Sequence, residues 1–237
     1  MCGRFVQKPE KKQWQERYGV EFTGPDMPPA RYNLAPGQAA ALVRADGLAA
    51  VLDFGLWGLV PSWRKDPQGA RPLINARAET LAEKPSFRDA LRYRRCLVPA
   101  NGFYEWCPHP ETGRKTPFFF QLQDRPLFSF AGLWAVWNDR EGGSWHTFTL
   151  VTCAANDAMQ RWHHRMPLIL NPEQEADWLD TSLHRPDHLK PLLAGDQALA
   201  FDPYPVSTRL NRTGVDDADC IKPTGATGDL LAWAGIQ

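Results

Sequence analysis

The chain has 237 residues, of which 43% are hydrophobic and 23% charged. This composition excludes a wholly disordered chain, and the length favours a single domain. Lys and Arg (27) balance Asp and Glu (27), which argues against a strongly basic, nonspecific nucleic-acid binder but leaves room for a local basic groove. No apolar run reaches the roughly 18–20 residues of a membrane span, and the N-terminus lacks the apolar core of a signal peptide, so we expect a cytoplasmic protein.

Short strands and short helices are predicted along the whole chain. Periodicity, β-branched and aromatic content and turn residues define them. In chain order they are a helix at 9–19, a hairpin of strands 39–44 and 49–54 around a turn at 45–48, a strand at 56–60, a helical pattern at 78–94 broken near Pro85, strands at 96–99, 103–106, 118–122, 127–131 and 145–152, and helices at 156–162 and 172–179.

The order of these elements predicts the fold class. Strands cluster in the middle of the chain, and helices lie outside them without a strict βαβ alternation. This favours an α+β fold: one domain with a mostly antiparallel, barrel-like β core flanked by short helices. Asn171 is a plausible N-cap of the last predicted helix, with Pro172 at its first position.

Cysteines and histidines give no sign of a metal or a disulfide framework. The five cysteines are an odd number at wide spacings, without a C-x-x-C pair. No H-E-x-x-H occurs, and Pro186 separates His184 from His188. We therefore predict no metal site and no cofactor.

Cys2 is of chemical interest because of its position. The initiator methionine is usually removed when the second residue is small, and the chain would then begin with Cys2. A terminal cysteine carries an amine with a pKa of about 7.7–8.0 and a thiol with a pKa of about 8.5. With an aldehyde, the amine forms a Schiff base, and the thiol can then close a thiazolidine ring. From position alone, Cys2 could equally be an ordinary second residue.

Three further segments carry reactive side chains, and each has a structural alternative. The segment 75–80 (NARAET) offers Asn75 and the phosphate-matching fork of Arg77, but it is also an ordinary helix start. Glu105 stands among aromatic residues, where burial would raise its pKa, although it could point outward from a strand. His163 and His164 would face opposite sides of a strand, so at most one would serve a given pocket.

Six motifs together carry a family resemblance. They are MCGRF at the N-terminus, RYNLAPG at 31–37, WGLVPSW at 57–63, NARAET at 75–80, GFYEW at 102–106 and HHRMP at 163–167. In this order they resemble the SOS response-associated peptidase (SRAP) family of abasic-site processing proteins. The match runs from residue 2 to about residue 211, and we expect residues 212–237 to extend the same domain over the whole chain, 1–237.

The resemblance implies a function. Family members recognise abasic sites in single-stranded DNA near replication forks and cross-link to the sugar aldehyde as a thiazolidine. The lesion is thereby shielded during replication and the SOS response. Autopeptidase activity, here loss of Met1, and abasic-site lyase activity are also implied, in a monomer that associates with the nucleoid when bound to DNA.

The resemblance also assigns roles to residues. Cys2 would be the nucleophile, Asn75 would hydrogen-bond the adduct, Glu105 would shuttle protons and His163, which precedes the x-Arg-x-Pro pattern, would act at the sugar or imine. The implied DNA contacts are Arg4, Asn33, Trp63, Arg64, Arg77, Thr152 and Arg165. Many relatives carry a second aromatic residue where this chain has Arg64, which can stack on a base or bind phosphate.

Two other classes of function remain open from the sequence. One is an N-terminal-nucleophile cysteine peptidase or amidohydrolase that acts on proteins through Cys2 with Glu105 or His163. It would need an oxyanion hole, and no sequence signature indicates one. The other is a noncatalytic single-strand binder built on the ten tryptophans.

Overall fold

The structure is a computed structural model that describes residues 2–20, 28–47, 49–64, 72–108, 113–138 and 142–224. Met1, Leu48 of the predicted turn and the end of the expected extension after residue 224 lie outside the described residues. The strands are β1 (Phe5–Gln7), β2 (Arg31–Leu34), β3 (Ala39–Asp46), β4 (Ala49–Trp57), β5 (Asn75–Arg77), β6 (Arg95–Ala100), β7 (Gly102–Pro108), β8 (Lys115–Leu122), β9 (Phe128–Asn138), β10 (Ser144–Ala154), β11 (Arg165–Pro167), β12 (Ile169–Leu170) and β13 (Phe201–Pro205). The helices are α1 (Lys11–Tyr18), α2 (Arg88–Tyr93), α3 (Asp157–Gln160), α4 (Pro172–Leu179) and α5 (Pro186–Leu193), with 3₁₀ turns at Thr208–Asn211 and Ala218–Ile221.

A closed barrel forms the centre of the fold. Its ring runs β3–β4–β10–β9–β6 and back to β3, and all pairings are antiparallel except β4 with β10, where Leu56 lies opposite Thr147. Aromatic rings fill the interior: Trp57 stacks on Phe148, with ring centroids 6.3 Å apart. The predicted α+β fold with a mostly antiparallel, barrel-like core is confirmed.

A five-stranded sheet in the order β13–β8–β7–β1–β2 packs against the barrel. Phe5 of β1 meets Trp57 of the barrel edge-on at 5.1 Å, and Phe103 of β7 meets Phe130 of β9 at 6.2 Å. A smaller apolar cluster covers the other face of the sheet, and it consists of Val6, Tyr104, Phe119, Val206, Leu210 and Cys220. The N-terminal strand β1 is therefore covered by the barrel on one face and by this smaller cluster on the other.

The strand predicted at 56–60 and the long helical pattern at 78–94 differ from the structure. β4 ends at Trp57 because Gly58 has a φ of 136°, and a Cβ there would lie 2.7 Å from Pro72. Turns occupy 78–87, and only Arg88–Tyr93 is helical. Pro85 disfavours the helical conformation at the preceding residue, so the pattern cannot continue through it.

The helix predicted at 172–179 matches α4 at both ends. The side chain of Asn171 accepts from the Gln174 N–H, and the Gln174 side chain accepts from the Asn171 N–H, so α4 begins with a full capping box. The helix predicted at 156–162 is shorter, at Asp157–Gln160, although the Asn156 side chain caps it by accepting from the Met159 N–H. The predicted hairpin of strands 39–44 and 49–54 is confirmed as β3 and β4.

Candidate active site and nucleic-acid interface

Strand β1 carries Cys2 to the boundary between the sheet and the barrel. Phe5 lies opposite Phe103 of β7, and the Tyr104 N–H donates to the Arg4 carbonyl oxygen at 3.0 Å. Antiparallel pairing therefore leads the chain past Tyr104 toward the far end of β7. Cys2 is completely buried, with its Sγ 3.7 Å from the Arg4 carbonyl oxygen. Burial raises the pKa of this thiol, which stays protonated at neutral pH.

Asn75 connects Cys2 to the barrel side of this boundary. It begins β5, which runs parallel to β10 with Asn75 beside Leu150. Its Nδ2 donates to the main-chain carbonyl oxygen of Cys2 at 3.0 Å. Its Oδ1 is buried and has no hydrogen-bond partner among the described residues. Asn75 thus fixes the backbone of residue 2 and keeps one acceptor available.

Glu105 lies on the same buried side of the sheet. It is 6% exposed, opposite Phe118 of β8, and alternation along β7 places it on the face of Phe103 and Cys107. Burial raises the pKa of its carboxyl group above the ordinary range. Burial, together with the negative charge of Glu105, raises the pKa of Cys107 to about 12. A carboxyl group in this setting keeps its proton to higher pH than usual, as general acid–base work requires.

The same carboxylate acts on Cys2. After burial, the charge of Glu105 is the next largest cause of the raised pKa of the Cys2 thiol. Coulombic effects of this kind require the two groups to be close. Cys2, Asn75 and Glu105 therefore form one cluster.

The two histidines occupy a turn before β11 and not a strand. The prediction that they face opposite sides is therefore wrong: their rings stack with centroids 4.4 Å apart and 24° between planes. His163 is half-buried, with Nδ1 2.9 Å from the Arg165 nitrogen, and His164 is exposed. Burial lowers the pKa of His163, and the charge of His163 lowers the pKa of His164.

Trp162, the residue before this turn, packs against the strand that lies beside Glu105. The Trp162 ring lies 4.9 Å from that of Phe118, the residue opposite Glu105. Burial raises the pKa of Glu105, and a positive charge on His164 opposes this rise to a lesser extent. The turn that carries both imidazoles therefore lies on the face of the sheet that bears Glu105.

Arg165, Thr152 and Arg77 lie on three neighbouring strands. Thr152 of β10 is opposite Arg77 of β5 and Pro167 of β11. Arg165 forms a two-pronged ion pair with Glu79 and donates to the Thr152 carbonyl oxygen at 2.6 Å. Thr152 is completely buried, whereas Arg77 is exposed. Of the three predicted contacts, Arg77 presents the most accessible charge.

Arg4 and Asn33 meet on the outer side of β1. Nη1 of Arg4 donates to Asn33 Oδ1 at 2.7 Å and to the Leu210 carbonyl oxygen at 2.9 Å. The guanidinium lies over the Trp106 ring, 5.9 Å from its centroid. Asn33 is completely buried, and its Nδ2 donates to the carbonyl oxygens of Leu210, Arg212 and Val215. The side chain of Asn33 is thus fully engaged within the protein.

Trp63 extends into solvent near the barrel rim. It is 61% exposed, and the guanidinium of Arg64 lies 6.0 Å from its ring centroid. Nε1 of Trp137 donates to the Arg64 carbonyl oxygen at 2.8 Å, which anchors the turn to β9. An exposed indole on an anchored turn is suited to stacking on a nucleic-acid base.

Some residues around the site were not assigned a role from sequence. Glu79 belongs to the segment 75–80, whose sequence also suits a helix start, yet it is the ion partner of Arg165. Cys107 follows the predicted strand 103–106 directly, and because β7 extends to Pro108 it shares the face of Glu105 by alternation. Asp216 belongs to an acidic run, and nothing local indicated its contact with β2, which spans more than 180 positions.

Within the described part of the chain, no helix is long and apolar enough to cross a membrane. All five cysteines are described, buried and free. No group of three or more His, Cys, Asp or Glu side chains among the described residues is arranged to hold a metal ion.

Comparison with known proteins gives consistent results. Abasic site processing protein YoqW of Bacillus subtilis is 41% identical over 214 residues, which cover 89% of this chain and 94% of that protein. YedK of Escherichia coli is 31% identical over 94% of this chain and 100% of its own length. A crystal structure of a Bacteroides thetaiotaomicron protein superposes with a TM-score of 0.82 at 26% identity, covering 94% of this chain and all of that one. The SOS response associated peptidase (SRAP) family matches residues 1–213, and the chain belongs to this family.

Proposed function

We propose that the protein processes abasic sites in single-stranded DNA by attaching itself covalently to them through Cys2, after removal of Met1. The hydrogen bond from Asn75 to the Cys2 carbonyl oxygen carries this proposal, because it holds residue 2 beside Glu105. The relatives named abasic site processing proteins support the same substrate.

The chemistry follows from the two nucleophiles of a terminal cysteine. The ring-opened sugar of an abasic site presents an aldehyde. The free amine of Cys2 adds to the aldehyde carbon and water leaves, so that an imine forms. The thiol of Cys2 then adds its sulfur to the imine carbon and its proton to the nitrogen, which closes a thiazolidine without further loss of atoms. Because burial raises the pKa of the thiol, we assign the first step to the amine.

Three neighbouring side chains assist these steps. Glu105, whose pKa burial raises, donates a proton to the sugar-ring oxygen on opening and to the departing hydroxyl, and accepts one on reversal. His163 acts as acid or electrostatic partner at the sugar hydroxyl or imine. Asn75 keeps the Cys2 carbonyl oxygen in place, and its free Oδ1 accepts a hydrogen bond from the adduct.

The strand itself is held by charge and stacking. Arg4, Arg77 and Arg64 bind phosphates flanking the lesion, and Trp63 stacks on a neighbouring base. Arg165 holds β11 against β10 through its hydrogen bond to the Thr152 carbonyl oxygen, and we assign both residues to the wall of the DNA-binding site. Since Asn33 is buried, we assign it an indirect role, the orientation of Arg4. The adduct would shield lesions exposed at replication forks during the SOS response, in the cytoplasm at the nucleoid.

Intact mass spectrometry tests the proposal. Purified protein is weighed before and after mixing with a single-stranded oligonucleotide that carries one abasic site. We expect a chain lacking Met1, and an adduct with the mass of protein plus DNA minus one water that survives denaturation. The matched controls are an intact oligonucleotide and Cys2→Ala, which also allows Met1 removal, and neither should give an adduct. Absence of an adduct with the wild-type protein would refute the proposal.

Other outcomes distinguish the alternatives. Steady cleavage of peptide substrates without DNA would indicate a cysteine peptidase. Equal noncovalent affinity for intact and abasic strands, with no bond formed, would indicate a binding protein. Appearance of a cleaved strand together with released protein would reveal a lyase that acts through the imine.

A further inference from the structure

We infer that Asp216 is a positioning residue for DNA binding, which holds Arg4 through Asn33 in the orientation that binds phosphate. The inference rests on the proposed function, in which Arg4 contacts the strand. It extends that function beyond the family match, because Asp216 lies past residue 213, where the match ends.

The carboxylate of Asp216 is in contact with strand β2. Oδ1 of Asp216 accepts hydrogen bonds from the main-chain N–H groups of Tyr32 at 2.5 Å and Asn33 at 2.8 Å. Oδ2 pairs with the guanidinium of Arg31. β2 is the edge strand of the five-stranded sheet, and its pairing with β1 is bulged between Arg31 and Leu34, so these two adjacent N–H groups would otherwise lack a ladder partner. The carboxylate of Asp216 thus fixes the backbone of Asn33.

Asn33 is in turn hydrogen-bonded to Arg4. The amide group of Asn33 is oriented by three carbonyl oxygens of the segment 210–215, to which its Nδ2 donates. This orientation turns Oδ1 toward Arg4, whose Nη1 donates to it at 2.7 Å. The same Nη1 donates to the Leu210 carbonyl oxygen. One edge of the guanidinium is therefore held by the C-terminal segment.

Part of the Arg4 guanidinium makes no hydrogen bond to the described residues. Its hydrogen bonds to described residues all use Nη1. Nε and Nη2 make none with the residues that the structure describes, and the side chain is half-buried. A guanidinium held at one corner over the Trp106 ring presents its remaining N–H groups in a fixed direction, which favours two-pronged binding of phosphate.

The negative charge of Asp216 and its positioning of Arg4 should have opposite effects on the affinity for DNA. Asp216 carries a negative charge, and its removal should by itself strengthen binding to a polyanion. If Asp216 positions Arg4, its removal should weaken binding instead. The sign of the change therefore separates the two possibilities.

The test is the affinity for an intact single-stranded oligonucleotide, measured by fluorescence anisotropy over a series of salt concentrations. We expect Asp216→Ala to weaken binding about tenfold, the size of one hydrogen bond to a charged group. The slope of log affinity against log salt should fall by about 0.7, the value for one phosphate contact on a single strand. Arg4→Gln should have the same effects, and the double variant should lose no more than Arg4→Gln alone.

Two further variants complete the design. Asp219→Ala removes the same charge from the same segment, but Asp219 pairs with Arg209 and Lys222 and not with β2; binding should be unchanged or slightly tighter. Asp216→Asn keeps an oxygen for Tyr32 and Asn33 and loses the pairing with Arg31, so a smaller loss is expected. This variant decides the question if Asp216→Ala does not fold, and tighter binding by Asp216→Asn would then overturn the inference.

Unchanged or tighter binding by folded Asp216→Ala, or a loss that adds to that of Arg4→Gln, would overturn the inference. Because the oligonucleotide has no abasic site, cross-linking does not enter the measurement. If Arg4→Gln has no effect, the DNA contact in the proposed function fails. If only Asp216→Ala has no effect, the inference fails and the proposed function stands.

Discussion

The side-chain amide of Asn75 donates a hydrogen bond of 3.0 Å to the main-chain carbonyl oxygen of Cys2. It joins two parts of the fold that share no strand pairing at this point, since Cys2 leads into the five-stranded sheet and Asn75 pairs with the barrel strand β10. A chain terminus usually frays unless it is tied down. This contact ties down residue 2, on which the proposed chemistry depends.

Replacement of Asn75 by Ala should slow adduct formation by about tenfold, because one hydrogen bond that orients the nucleophile is lost. Asn75→Asp should be at least as slow, since a carboxylate cannot donate to the Cys2 carbonyl oxygen. The rate is measured by denaturing electrophoresis with protein in excess over abasic DNA. Thermal unfolding of both variants serves as the control, and a wild-type rate for Asn75→Asp would contradict the role of Nδ2 as a donor.

A serine at position 2 should separate the two steps of the proposed chemistry. Cys2→Ser retains the terminal amine after Met1 removal but has no thiol to close the ring. We expect no stable adduct, but an imine that borohydride reduces to a permanent bond. Wild-type protein should give its adduct without borohydride. A stable adduct of Cys2→Ser without reduction would show that ring closure by sulfur is unnecessary.

Local signals in the sequence predict much of the fold. The capping residues around α4 and the glycine-containing turn between β3 and β4 lie next to the elements that they define. The helical pattern at 78–94 fails because a short stretch of suitable residues does not outweigh Pro85 and the turns that pack against the barrel. Closure of the barrel through β4 and β10 depends on contacts between residues some ninety positions apart, for which the sequence offers no local signal.

The site was predictable only in part for the same reason. The motifs indicate Cys2, Asn75 and Glu105, and the structure brings these together. The stacking of His163 on His164 depends on the backbone of a turn, and the burial of Asn33 depends on the distant C-terminal segment. Residue types reveal which chemistry is available, whereas long-range packing decides which groups are accessible.

Trp63→Ala should weaken binding of single-stranded DNA by about tenfold or more, since a base stacked on an aromatic ring contributes roughly 1–3 kcal/mol. Trp63 is 61% exposed, so protein stability should change little. Trp63→Phe should recover most of the affinity. Tyr93→Ala is the matched control, because Tyr93 is 58% exposed on α2 and stacks on His184. Equal losses for Trp63→Ala and Tyr93→Ala would mean that Trp63 has no specific role.

Glu105→Gln should stabilise the protein at neutral pH while it slows adduct formation. Burial raises the folded-state pKa of Glu105 above the unfolded value of about 4.3. The favourable contribution of the neutral carboxyl group is therefore complete below about pH 4.3 and is lost as the pH rises through the folded-state pKa. Glutamine does not ionise and avoids this loss. The free energy of unfolding, measured in urea from pH 4 to 8, should exceed that of the wild type increasingly with pH.

Glu79→Gln provides a control of opposite sign. Hydrogen bonds from Arg165 lower the folded-state pKa of Glu79, so its contribution is present above about pH 4.3 and is lost as the pH falls through that lowered pKa. This variant should be less stable than the wild type at pH 7, and the difference should shrink toward acid pH. The effect should be small because the Glu79 side chain is 50% exposed.

A Glu105→Gln variant that is less stable than the wild type at pH 7 would mean that ion pairing, and not burial, dominates the energetics of Glu105.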